Sequence, residues 1–327
     1  MGRRESILEG ESPDVSIVPV VGSADLVTVS STDFFSPITM DPYKQGRIAA
    51  ANTISDLYAA GCVQLNSMLM ILGCSTAMDP AHRRIVTEQM VKGFQDACDE
   101  AGVPVTGGQT VLNPWPILGG AVIATLPRSS MVASTAVVPD DILVLTKPLG
   151  TQVAGNLQVW MMYEEKWARA SSIIDEDAAR RAITISELSM ATLNKAAAIL
   201  MKKHGAHGAT DITGFGFLGH AKNLAAIQKA EVDLVLDTLP VIAGMKELSA
   251  GAMGPNFRLL KGLSAETSGG LLIALPNMEA AEKFLEEYKQ DPSNPEKWGW
   301  IVGKSTKGSR QAYWEEHSES APKIVEV

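Results

Sequence analysis

Cysteine is scarce: Cys62, Cys74 and Cys98 are the three in 327 residues, and none belongs to a C-x-x-C pair. Each lies in an apolar or helical context ("AAGCVQL", "MILGCST", "FQDACDE"), where a free thiol behaves as a small buried hydrophobe, and the set suits a reducing, cytosolic compartment. A signal-peptide pattern is missing from the start, and the myristoylation-like "MGRRES" is too short a match to carry weight. No apolar run approaches the roughly 20 residues that cross a bilayer, so a membrane protein is not expected. Basic residues gather into no block and the net charge is −9, which opposes binding to phosphate backbones and argues against nucleic acid as a partner. A small phosphorylated ligand is a different case, because backbone N–H groups and carboxylate-held Mg2+ can meet its charge. Low-complexity tracts and short-period repeats are also missing. His204 and His207 sit three apart beside glycines with no third zinc-type ligand near them, and they read as loop residues.

What is present is an ordinary globular chain, 46% apolar and 20% charged, of a length that suits two cores better than one. Residues 14–36 give a strand, turn and strand rich in Val, Ser and Thr. "YKQGRIAAANTISDLYAAG" follows as a helix with Ile48, Ala51, Ile54, Leu57 and Tyr58 on one face and Gly61 as its stop. That helix sets Asn52 and Asp56 at i and i+4. "LNSMLMILG" and "LGGAVIATLP" read as strands around an amphipathic helix ending at Gly102. The turn at Pro139–Asp141 precedes the fresh strand "ILVLT", which divides the chain into residues 1–141 and 142–327. The second part reads as a long helical region over 175–203, helices at "FLGHAKNLAAIQKA" and "VIAGMKELSAG", and strands at "VDLVLD", "GGLLIALP" and "GWIVGKSTKG".

Four aspartates carry the chemical signal: Asp14, Asp33, Asp56 and Asp211. Each is flanked by apolar residues on at least one side, an uncomfortable place for a carboxylate unless it is paired or metal-bound. Oxygen-only ligands at wide spacing suit Mg2+. "TDITGFGFLGHAKN" also spells G-x-G-x-x-G at Gly214, Gly216 and Gly219. The polar segment before it offers no run of apolar residues for a parallel strand, so a dinucleotide site is not expected there. Gly107 and Gly108, followed by Gln109 and Thr110, read as a turn whose backbone could approach an anion. "AETSGGLLIALP" reads as a structural turn entering a strand.

"STDFFSPI", "RIAAANTISDLYAAG", "VTGGQTVLNPWPILGGA", "VLTKPLGTQVA", "ATDITGFGFLGHAKNLA" and "ETSGGLLIALP" stand in one order. In that order the chain resembles the selenophosphate synthetases in their eukaryote-like form, from Asp14 onward. The resemblance implies two α+β domains of the PurM-like superfamily, related to aminoimidazole ribonucleotide synthetase, and a homodimer whose N-terminal sheets pair into a barrel. It implies the substrates ATP and selenide, with water giving selenophosphate, AMP and phosphate, and more than one Mg2+. Carried over by position, the metal ligands fall on Asp14, Asp33, Asp56 and Asp211. The nucleotide contacts fall on Thr32, Asp33, Asn52, Asp56, Gly107, Gly108, Gln109 and Thr110.

The sequence departs from that pattern at one place. The family carries a glycine-rich segment with a cysteine or selenocysteine and a lysine upstream of the first aspartate, whereas "MGRRESILEGESP" has neither, and Ser12 and Pro13 replace a glycine and a hydrophobic residue. A truncated, weakly active or inactive core is therefore expected, with its catalytic residues unassigned. The alternative is a non-catalytic nucleotide-binding paralogue that modulates a synthetase. A relative acting in purine or thiamine metabolism is disfavoured by the motif set.

Overall fold

A computed structural model describes residues 14–254, 257–315 and 322–327, so Ser12, Pro13 and the segment before them lie outside the described residues. The first half builds β1 (Ser16–Pro19), β2 (Leu26–Phe35), α1 (Pro42–Ala59), β3 (Ser67–Ser75), α2 (Pro80–Ala101), β4 (Val105–Asn113) and β5 (Ile117–Pro127). Its sheet runs β1-β2-β5-β3-β4. Only the β3–β4 pair is parallel, because α2 provides the crossover that a parallel connection needs. The second half builds β6 (Ile142–Leu145), α3 (Thr151–Trp160), α4 (Glu164–Ser171), α5 (Glu176–Ala191), α6 (Lys195–Lys203), β7 (Gly208–Asp211) and α7 (Gly216–Ala226). It continues through β8 (Val232–Leu236), β9 (Thr238–Val241), α8 (Met245–Ala250), β10 (Leu271–Leu275), α9 (Met278–Gln290), β11 (Trp300–Lys307), β12 (Ala312–Trp314) and β13 (Lys323–Glu326). Its main sheet runs β12-β8-β11-β6-β10-β7, and β13 pairs with β9.

Helix α1 is the axis of the molecule. Asp41 caps it by accepting from Tyr43 and Lys44 N–H groups, Pro42 occupies the first turn, and Gly61 at φ 78° ends it. The small residues of "RIAAANTIS" let it be buried well beyond the single apolar face expected of it, with Ile48, Ala49, Ala50, Ile54, Leu57 and Tyr58 all fully covered. It meets α2 at two glycines: a Cβ on Gly46 would stand 2.1 Å from the Met90 carbonyl oxygen, and one on Gly93 would stand 1.9 Å from that of Tyr43. Strand β10 is buried on both faces, as its unbroken "LLIAL" requires. Leu271, Ile273 and Leu275 join the core shared with the first half, while Leu272 and Ala274 join the core of the second.

The structure corrects several sequence expectations. The polar stretch "GATD" does form a strand, β7, because it needs only the edge of β10, to which it pairs antiparallel. Gly107 and Gly108 lie inside β4 rather than in a turn, and Gly108 is required because a Cβ there would stand 1.9 Å from the Met70 carbonyl oxygen on β3. The helical region over 175–203 is two helices, α5 and α6, interrupted at Thr192–Asn194. The expected helix at "VIAGMKELSAG" begins only at Met245, since Val241 belongs to β9.

Candidate functional site

Strand alternation on β2 turns Ser31 and Asp33 toward α1 and leaves Thr32 exposed on the opposite face. Helix α1 supplies Asn52, Ser55 and Asp56, one turn apart or less. From the second half, β7 brings Thr210 and Asp211, both buried. The Ser31 hydroxyl donates to Asp56 Oδ2 at 2.5 Å, and the Thr210 hydroxyl donates to Asp14 Oδ2 at 3.3 Å. Asp14, Asp33, Asp56 and Asp211 thus meet where the two halves join.

Their electrostatics are those of an unmet charge. Burial raises the Asp14 carboxyl, and Asp33 adds repulsion. Burial raises Asp33 as well, partly offset by hydrogen bonding with Asp56. Asp56 is raised furthest, by burial and then by Asp211, Asp33 and Asp14 together. Asp211 is only 1% exposed, and burial raises it despite the nearby Ser55 and Asp56. Ser55 and Asp56 lie close, yet neither Asp211 oxygen makes a hydrogen bond of ordinary geometry. Carboxylates that repel one another in this way are harder to ionise together, and a cation would relieve the repulsion. The residues fit Mg2+ in this respect, since two orphaned buried oxygens and a set of hard donors await a positive charge. Among the described residues no three His, Cys, Asp or Glu side chains are gathered closely enough to form a ready metal cage. That arrangement suits a cation that keeps waters and borrows phosphate oxygens.

The other expected contacts divide. Asn52 Oδ1 is already engaged, accepting the Ser268 N–H at 2.8 Å across the junction. Gly107, Gly108, Gln109 and Thr110 are exposed on β4, at the far edge of the sheet from Asp33. Three strand spacings separate β2 from β4, about 14 Å. The fold of the single chain therefore does not bring these four to the carboxylates. The His204 and His207 rings go separate ways, to Glu287 and Asp141 respectively. Cys62 and Cys98 are buried thiols pushed up to about 12, and Cys74 is half-buried.

Sequence reasoning took the turn at Ser268 as structural only and did not place it at this site. Ser268 sits at φ 47°, strained for a residue with a side chain. Asn194 Nδ2 donates to the Gly269 carbonyl at 2.8 Å and to Ser55 Oγ at 3.0 Å. Lys147 donates to the Ser268 carbonyl at 2.8 Å. Glu266, buried and pushed up to about 7 by that burial, accepts the Gly150 and Thr151 N–H groups at the start of α3. The signal available was a lysine at the end of an apolar strand in "VLTKPLG" and a glutamate before "TSGG". The G-x-G-x-x-G stretch has a mechanical purpose in the same region. Gly216, at φ 72°, lets α7 start against the backbone of residues 262–264, where a Cβ would stand 2.6 Å from the Ser264 carbonyl oxygen.

Comparison with known proteins agrees with this architecture. Residues 14–126 match the family described as AIR synthase related protein, N-terminal domain, and residues 138–314 match its C-terminal domain. The structure superposes on "AaThiL complexed with AMPPCP and TMP" with a TM-score of 0.69 at 17% identity, covering 97% of this chain and 91% of that one. A hydrogenase maturation protein, HypE of E. coli, gives 0.67 at 16% identity over 91% of this chain and 85% of its own. Fold and junctional site thus define a two-domain AIR synthase-related protein. Within that class the sequence is more specific. Selenide, water dikinase 2 of Homo sapiens is 46% identical over 319 residues, 97% of this chain and 69% of the human protein. Selenide, water dikinase of Trypanosoma brucei brucei is 47% identical over 284 residues, 85% of this chain and 70% of that protein. The chain belongs to the selenide, water dikinase family.

Proposed function

We propose that this chain binds ATP through divalent cations held on Asp14, Asp33, Asp56 and Asp211, and takes part in the ATP-dependent conversion of selenide and water to selenophosphate, AMP and phosphate. Membership of the selenide, water dikinase family supports the reaction. The observation that carries the site is the convergence of four carboxylates, with both Asp211 oxygens buried and unpartnered. Mg2+ bound there would neutralise the triphosphate and align an in-line attack. The protein's own part is to hold those ligands where its two halves join. Ser31 and Thr210 fix the orientation of Asp56 and Asp14 by hydrogen bonds.

The working unit is proposed to be a homodimer. Strands β1 and β4 are the two edges of the first sheet and expose Val18, Val111 and Leu112, an arrangement that invites pairing. Pairing would also give Thr32, Gly107, Gly108, Gln109 and Thr110 a nucleotide to contact, on a second copy. The free thiols fit a reducing cytosol. The test is calorimetric titration of ATP in Mg2+ against the wild type, Asp33→Asn and Asp56→Asn, with 31P NMR following AMP and selenophosphate. Both variants should lose Mg2+-dependent nucleotide binding while keeping their circular dichroism. Wild-type affinity in both would sink the shared site.

A further inference from the structure

Strands β6, β10 and β7 lie side by side, and their ends come level. Asp211 pairs with Leu271 on one side of β10, while the Thr146 N–H donates to the Leu271 carbonyl on the other, so Lys147 falls opposite Gly270. Gly270 must be glycine there, since a Cβ would stand 2.4 Å from the Lys147 backbone nitrogen. Lys147 is fully buried. Its ammonium donates to two neutral acceptors, the Thr192 carbonyl at 2.6 Å and the Ser268 carbonyl at 2.8 Å. Among the described residues no carboxylate forms a salt bridge with it. Burial draws its pKa down to about 7, and the charge that opposes this is Asp211. At the start of β10, then, a buried cation held by carbonyls lies on the strand to one side and the buried Asp211 carboxylate, whose charge it feels, on the strand to the other. Either alone would be costly in a core, and an apolar side chain at position 147 would avoid the cost altogether.

We propose that Lys147 is the built-in counter-charge of the carboxylate cluster, a positioning residue that offsets part of its negative charge before cations arrive and ties the Ser268 turn against α1. The inference rests on the reading that the cluster holds divalent cations. It has a two-way signature. Removing the lysine charge leaves the bare cluster more attractive to a free cation and more repellent to a triphosphate. Loss of a merely structural prop would weaken both or change neither.

The experiment compares Lys147→Met and Lys147→Arg with the wild type in the full chain, titrating Mg2+ alone and then ATP at saturating Mg2+ by calorimetry. Lys147→Met should bind Mg2+ about tenfold more tightly and ATP more weakly by a similar factor, while Lys147→Arg keeps wild-type Mg2+ affinity. Equal or weaker Mg2+ binding by Lys147→Met, or affinities for Mg2+ and ATP that move in the same direction, would overturn the proposal. Wild-type chain that binds no Mg2+ overturns the cation-site reading itself and the inference with it. Should Lys147→Met not fold, the wild type labelled at lysine Cε provides the readout. The Lys147 resonance, assigned by its loss in Lys147→Arg, should shift as Mg2+ saturates the site, and a resonance that stays put refutes the coupling.

Discussion

Replacing Asp211 with asparagine should make the ligand-free protein more stable and the liganded protein less so. The carboxylate is 1% exposed and neither oxygen makes a hydrogen bond of ordinary geometry. Leaving a buried polar group unpaired costs about 1–3 kcal/mol, and a charged one lies toward the upper end. Asparagine keeps the shape and removes the charge, so a gain on the order of 2 kcal/mol is expected, worth about 3 °C in Tm for a chain of this size. The pH dependence follows from the direction of the shift. Burial holds the folded pKa of Asp211 above the ordinary 3.8, so the cost of its charge is nil below 3.8 and complete once the pH exceeds the folded value. Wild-type stability falls through that window, asparagine does not titrate, and the gap should open as the pH rises. Mg2+ and ATP reverse the order. At a ligand concentration of 100 times Kd the wild type gains about 2.7 kcal/mol, and a variant that cannot bind gains nothing. Thermal scans at pH 5 and pH 8, with and without Mg2+ and ATP, provide the assay. An asparagine variant that is less stable than the wild type at pH 8 without ligand, or that shifts equally with ligand, would refute the reasoning.

Three further outcomes are expected. Gly93→Ala should cost about 3 kcal/mol in urea unfolding, because its methyl group would press on the Tyr43 carbonyl where α1 crosses α2; a neutral result would mean the helices part freely. Glu266, raised from 4.5 to about 7 by burial, should lose the wild type about 3 kcal/mol as the pH climbs through that interval, and Glu266→Gln should not show this loss. Parallel pH profiles for the two proteins would count against it. Leu112→Glu places a charge on the exposed edge of β4, and light scattering should show a dimer become a monomer, whereas a wild type that is already monomeric at micromolar concentration removes the basis for the pairing.

Local pattern was enough wherever an element's own residues decide its state. The Val, Ser and Thr alternation of β2, the stop at Gly61 and the amphipathic run of α2 are all readable because propensity and period agree with the fold. β7 was not readable, since "GATD" has no strand signature and owes its state to the waiting edge of β10. The break between α5 and α6 likewise depends on Asn194 reaching the Gly269 carbonyl, a partner 75 residues away.

The same division holds at the site. The four aspartates were legible one by one, because a carboxylate among apolar neighbours is a local anomaly. Sequence alone settled the family, the residue types available for chemistry and the hard, oxygen-only character of the donors. Tertiary structure alone decided which residues meet. It brought Asp211 across the junction to Asp14, Asp33 and Asp56, it set Gly107–Thr110 at the opposite edge of the sheet, and it buried Lys147 behind the Ser268 turn. Charge repulsion, burial and orphaned hydrogen bonds depend on distances between residues remote in sequence, and those distances exist only once the two halves have closed on each other.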